Sequence, residues 1–134
     1  MPGTLKLMTT RTFLIVHSII YAFFAVGLFA TPVLMLRMFG VEHNDPFIIF
    51  LVQDNSVFLA GIAVLGFLFR DVKECSNEAR KIILVFLIMA ILGFALTFYT
   101  LLKGVLSGPL GWSDACSFAV LILLASLQLV QNIE

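Results

Sequence analysis

The sequence predicts an all-α integral membrane protein: a four-helix up-down bundle with its N- and C-termini on the cytoplasmic side. Three observations point there. Apolar residues make up 61% of the 134-residue chain and charged residues 12%, against roughly a half and a quarter in soluble domains. Four stretches approach the ~20 apolar residues that cross a hydrocarbon core. Most of the charges cluster between those stretches.

The expected spans are 12–30, 46–69, 82–102 and 113–130, within one transmembrane domain covering residues 1–134. The first ends where Thr31 precedes Pro32, because a residue before proline is pushed out of the helical region. Lys6 and Arg11 could open a signal peptide, but the apolar run is long for one. Leu28, Phe29 and Ala30 also make a poor small-x-small cleavage site, so an uncleaved span is expected. Gly40 and the run Glu42, His43, Asn44, Asp45 form a polar turn, and Pro46 suits the first turn of the second helix. The third span follows the charged segment 70–81. Gly104, Gly108, Pro109 and Gly111 break the chain before the fourth, with Ser113 as its expected N-cap. Trp112 suits an interfacial position.

Orientation follows from lysine and arginine placement, which favours the cytoplasmic side. Lys6, Arg11, Arg70, Lys73, Arg80 and Lys81 fall on the side of the two termini, and Arg37 and Lys103 on the other. This sets the protein in a bacterial inner membrane or an organellar equivalent. The net charge is zero, with no basic excess to suggest nucleic acid. Cys75 and Cys116 fall near opposite faces, on the order of 30 Å apart, too far for a disulfide.

Counting depth at 1.5 Å per residue brings polar groups into layers. The second span carries Gln53, Asp54, Asn55 and Ser56 in succession. An Asp at a helix centre costs about 3 kcal/mol on insertion, so Asp54 is expected to face the bundle interior or water and to have a partner. Asn55, Thr97 and Ser117 fall near its depth, with Gln53 nearby, Asp114 about one turn nearer the outer surface, and Gly27 leaving room. The candidate ligand- or proton-binding residues are Asp54, Asn55, Gln53, Thr97 and Ser117. A weaker layer on the inner side holds His17 and Ser126, with Gln128 closer to the surface and Tyr21 one turn above His17. Ser56, Ala60 and Ala63, with Ala115 and Ala119, give small surfaces for helix packing.

Each of these residues has a structural reading beside the functional one. Asp54 is either a proton, cation or ligand site or a carboxyl hydrogen-bonded for packing. His17 is read first as a structural histidine, with axial ligation or proton relay as the alternatives. The 14 phenylalanines are read as packing groups. No metal-ligand spacing, phosphate loop, dinucleotide fingerprint or nucleophile elbow occurs, and no cofactor is specified.

Thr31 with Pro32, Phe39 with Gly40, Arg80 with Lys81, and Gly111 with Trp112 give the chain a layout that resembles small four-span bacterial membrane proteins of the DoxX-like type. The resemblance implies a four-span bundle and, for some members, association with oxidoreductase complexes. It carries over no functional residue.

The leading functional expectation is a non-catalytic accessory or scaffold subunit of a larger membrane complex, redox or photosynthetic, positioning partner helices, lipids or cofactors. Its partners would be the lipid bilayer and other membrane subunits or itself. Two rivals are a transport or binding protein using Asp54 for a proton, cation or small ligand, and an intramembrane enzyme acting on a lipid-soluble substrate.

Overall fold

Residues 8–42 and 45–133 are described in the computed structural model. Among them are five helices and no strands: α1 (Thr10–Ala30), α2 (Pro32–Met38), α3 (Pro46–Leu68), α4 (Asn77–Leu102) and α5 (Pro109–Ile133). All but α2 are long and apolar enough to cross a membrane. At 21 to 26 residues they extend about 31 to 39 Å.

Side-chain caps set several helix starts, satisfying amides that have no acceptor within the helix. Thr9 accepts from the Thr12 amide at 3.2 Å, Asp45 from Phe47 at 2.8 Å, and Ser76 from Ala79 at 3.1 Å. These caps explain two differences from the expected bounds. The first helix begins at Thr10 and the third long helix at Asn77, each running past its apolar stretch into polar sequence. The last long helix begins at Pro109, so Ser113 is not its N-cap. Proline is preorganised for the first helical position, and Gly111 lies within the helix, where an added Cβ would be 3.2 Å from Leu101 Cδ2. Thr31 does interrupt the helix, but the chain re-enters one at Pro32. His43, Asn44 and Lys6 lie outside the described residues.

Packing divides the helices into two closely associated pairs, α1 with α3 and α4 with α5, while α1 also touches α5. Small residues let α1 and α3 approach. A Cβ on Gly66 would be 2.5 Å from Ser18 Oγ and 3.1 Å from Phe86 Cζ, so a side chain there would force these neighbours to shift. Phe86 of α4, fully buried, joins the two pairs. Its ring centroid is 6.2 Å from that of Phe13, 5.1 Å from His17 and 6.1 Å from Tyr21. With Leu14, Ile83 and Ala125 these rings form the core.

Polar contacts tie the two ends. At one end the α1 start, the α3–α4 connection and the α5 end meet. The Thr10 amide donates to Glu74 at 3.1 Å, Asn132 Nδ2 donates to Thr10 Oγ1 at 3.2 Å, and the Cys75 amide donates to Asn132 Oδ1 at 2.7 Å. Cys75 adopts φ +59° there. Arg11 adds an exposed ion pair with Asp71 at 2.6 Å. At the other end the amides of Ser107 and Gly108 donate to the Phe39 carbonyl at 3.2 and 3.1 Å. Gly40, at φ +83°, has no room for a Cβ beside the Gly108 amide.

Candidate functional site

The rings around Phe86 fill the bundle at the end where the α1 start lies. Toward the other end the helices part around a cavity of about 450 Å³, within the size range of small-molecule sites. α1, α3, α4 and α5 all contribute to its walls, and Leu36, Phe39 and Leu106 close it near the loops. Its lining is aliphatic and aromatic except for a few groups: Tyr21, Asn55, Thr97, Asp114 and Ser117. α3 and α4, which both line it, make no extensive approach to one another. Leu51 and Leu96, on the two sides of that gap, are 47% and 66% exposed.

The polar groups are positioned by helix periodicity. α5 turns Asp114, Phe118, Leu121, Ala125, Gln128 and Asn132 inward at three- and four-residue intervals, the spacing of one helix face. Its inward stripe is therefore polar at both ends and apolar between. Thr97 Oγ1 donates to Asp114 Oδ2 at 3.1 Å, which orients the carboxyl in the cavity wall. Ser117 is already committed, donating to its own helix at the Ser113 carbonyl at 2.9 Å. Tyr21 is 5% exposed, and its hydroxyl makes no hydrogen bond among the described residues. Asn55 stands exposed at the rim on α3.

Asn55, Thr97 and Ser117 thus line one cavity, but Asp54 does not join them. It is exposed on the far side of α3 and does not face the bundle interior, one of the two settings the sequence allows for it. The buried side of α3 carries Ser56 and Ala63. Asp54 is two residues from Ser56, which is about 200° around the helix. Gln53 lies between these faces and donates to the Phe29 carbonyl at 3.0 Å. The carboxyl that does reach the cavity is Asp114. Sequence counting noted its depth and that of Tyr21 without assigning either a role. The signal was available in the spacing of Asp114 with Phe118 and Leu121.

Of the expected packing residues, Ser56, Ala63 and Ala115 are buried, while Ala60 and Ala119 are exposed. Four-residue steps drift about 40° around a helix, which carries Ala60 and Ala119 off the contact line. Cys116 is exposed on α5.

His17 is fully buried beneath Tyr21 and does not line the cavity. Its Nδ1 is 3.0 Å from the Phe13 carbonyl, and its Nε2 has no hydrogen-bond partner. The Phe13 and Phe86 rings lie against it at 4.1 and 5.1 Å. Gln128, expected closer to the surface than His17, donates to the Met8 carbonyl at 2.6 Å. No group of three or more His, Cys, Asp or Glu side chains with metal-binding geometry occurs among the described residues.

No family model, curated protein or solved structure matches this chain.

Proposed function

We propose that the chain is a multi-pass membrane protein that holds a lipid-soluble small molecule with a hydrogen-bonding head. The observation that carries this reading is the Thr97–Asp114 pair, at 3.1 Å, facing an otherwise apolar cavity. A ligand's hydrocarbon part would replace lipid contacts along the aliphatic walls. Its polar head would donate to Asp114 or accept from Tyr21, which lines the same space. Entry would be from the bilayer, through the gap between α3 and α4, so the molecule need not cross water.

The topology that accompanies this reading is an up-down bundle with the α1 start and the α5 end on the cytoplasmic side. The hydrogen bonds among Thr10, Cys75 and Asn132 support a common end for these segments, and the lysine and arginine bias orients that end inward. The membrane would be a bacterial inner membrane or an organellar equivalent.

The accessory-subunit reading, with a redox or photosynthetic complex as host, remains the second proposal. It is favoured by the carboxyl of Asp54 on the outward side of α3. The transport and enzyme readings rest on Asp54, which is not among the residues that line the cavity.

The test is purification in mild detergent followed by native mass spectrometry, before and after exposure to a total lipid extract. The expected result is one bound small molecule per chain in the wild type. Thr97→Val and Asp114→Ala should lose it while keeping their helical circular dichroism. A wild-type chain that takes up nothing from the extract would sink the proposal.

A further inference from the structure

Asp114 is an acid without a cation. No lysine, arginine or histidine is among the described residues that line the cavity. The carboxyl accepts from the neutral Thr97 hydroxyl at 3.1 Å and makes no ion pair among the described residues. The basic side chains nearest in sequence are turned to other surroundings. Arg37 is exposed on α2, and Lys103 Nζ lies over the Tyr99 ring, 5.7 Å from its centroid. The hydroxyls of Thr97 and Ser117 are already given to Asp114 and to the Ser113 carbonyl. What otherwise surrounds the carboxyl's free acceptor positions is aliphatic or aromatic, including the rings of Tyr21, Phe24, Phe39 and Phe118. A carboxylate in apolar surroundings is costly unless it is paired, and aromatic faces attract cations.

We infer that the ligand of this cavity is an amphiphilic amine, a hydrocarbon body ending in a protonated nitrogen. This rests on the binding reading proposed above and names the class of molecule bound. The ammonium has donors and no acceptor, the match for a carboxyl with free acceptor positions, and it brings the charge that the cavity walls do not supply. A fatty-acid head would meet like charge, and a ketone or ester head offers Asp114 no donor. Thr97 and Asp114 each lie five residues from the end of their helix beside the α4–α5 connection, about 7.5 Å along the axis. The nitrogen would therefore sit toward that membrane face, with the hydrocarbon deeper in the bundle.

The test titrates the full chain in a neutral detergent at neutral pH with dodecylamine, dodecanol and dodecanoic acid, which share a tail and differ in head. Native mass spectrometry reads the occupancy. The wild type should bind the amine most tightly. Asp114→Asn, whose amide oxygen can still accept from Thr97, should reduce the preference for amine over alcohol about tenfold, the difference between a charge-assisted and a neutral hydrogen bond. Comparing the two chains cancels the unequal partitioning of the probes into micelles. Asp54→Asn, which removes a carboxyl outside the cavity, should leave the preference unchanged. Alcohol or acid bound as tightly as amine by the wild type overturns the inference while leaving the cavity a site for lipid-soluble molecules. A preference that survives Asp114→Asn, or that falls equally with Asp54→Asn, also overturns it. Failure of the wild type to bind any of the three overturns the binding reading as well.

Discussion

Thr97 of α4 and Asp114 of α5 lie 17 residues apart and share a 3.1 Å hydrogen bond at the wall of an apolar cavity. The bond does two things. It closes the α4–α5 hairpin, and it holds a carboxyl where a ligand could meet it. Thr97→Val removes the hydroxyl at nearly constant volume and should destabilise the protein by about 1 kcal/mol, within the range of side-chain hydrogen bonds between membrane helices. Thr97→Ser should restore most of that. Unfolding in lipid–detergent micelles with increasing dodecyl sulfate would measure both, and equal stability of all three chains would show that the bond contributes nothing.

Gly93 offers a way to shrink the cavity without touching its polar groups. A Cβ there would be 2.5 Å from the Phe118 ring, and Phe118 lines the cavity. Gly93→Ala should swing the ring into the cavity and weaken uptake of the bound molecule. The double change Gly93→Ala with Phe118→Leu should recover it. Native mass spectrometry of the three chains reads the outcome directly, and full occupancy in the single variant would count against the cavity as the binding place.

His17 presents an unsatisfied Nε2 to aromatic neighbours. Leaving a buried polar atom without a partner costs about 1–3 kcal/mol. His17→Leu should therefore be neutral or stabilising by up to about 1 kcal/mol, after allowance for imperfect packing of the new side chain. If His17 instead relays protons or ligates a cofactor, the variant would fold normally and lose its bound group or its activity.

Asn132 ties the α5 end to the α3–α4 connection through the Cys75 amide at 2.7 Å and to α1 through Thr10 at 3.2 Å. Asn132→Leu strands the Cys75 amide and leaves the Thr10 hydroxyl only its hydrogen bond to Gln128 Oε1 at 3.4 Å, and should cost about 1–3 kcal/mol. The Cys75 thiol, whose contact with the Gln131 carbonyl is 3.6 Å, should then react faster with a maleimide. The same reagent tests orientation. An impermeant maleimide should label Cys75 in inside-out vesicles and not in intact cells, and the opposite pattern would reverse the proposed topology.

Helix existence was legible in the sequence because it depends on local quantities. Runs of apolar residues, the proline at position 46 and the charges of 70–81 act within a few residues of where they stand. Helix ends were less legible. Ser76 and Pro109 extend their helices beyond the apolar runs, and capping acts independently of hydropathy. Depth was also countable: Asn55, Thr97 and Ser117 share a level because rise per residue is constant.

Facing was the part that counting depth could not supply. Asp54 and Asn55 differ by one residue, yet one lies outside the bundle and the other at the cavity rim. The difference is set by which side of α3 packs on α1, and that is decided by Ser56, Ala63 and the close approach of Gly66 to Ser18. The sequence alone therefore determined a membrane chain with four apolar helices, since length and hydropathy are properties of each segment. The tertiary structure decided that Asp114 and not Asp54 meets Thr97, because a helix rotates about 100° per residue and only packing against a neighbour sets the origin of that rotation.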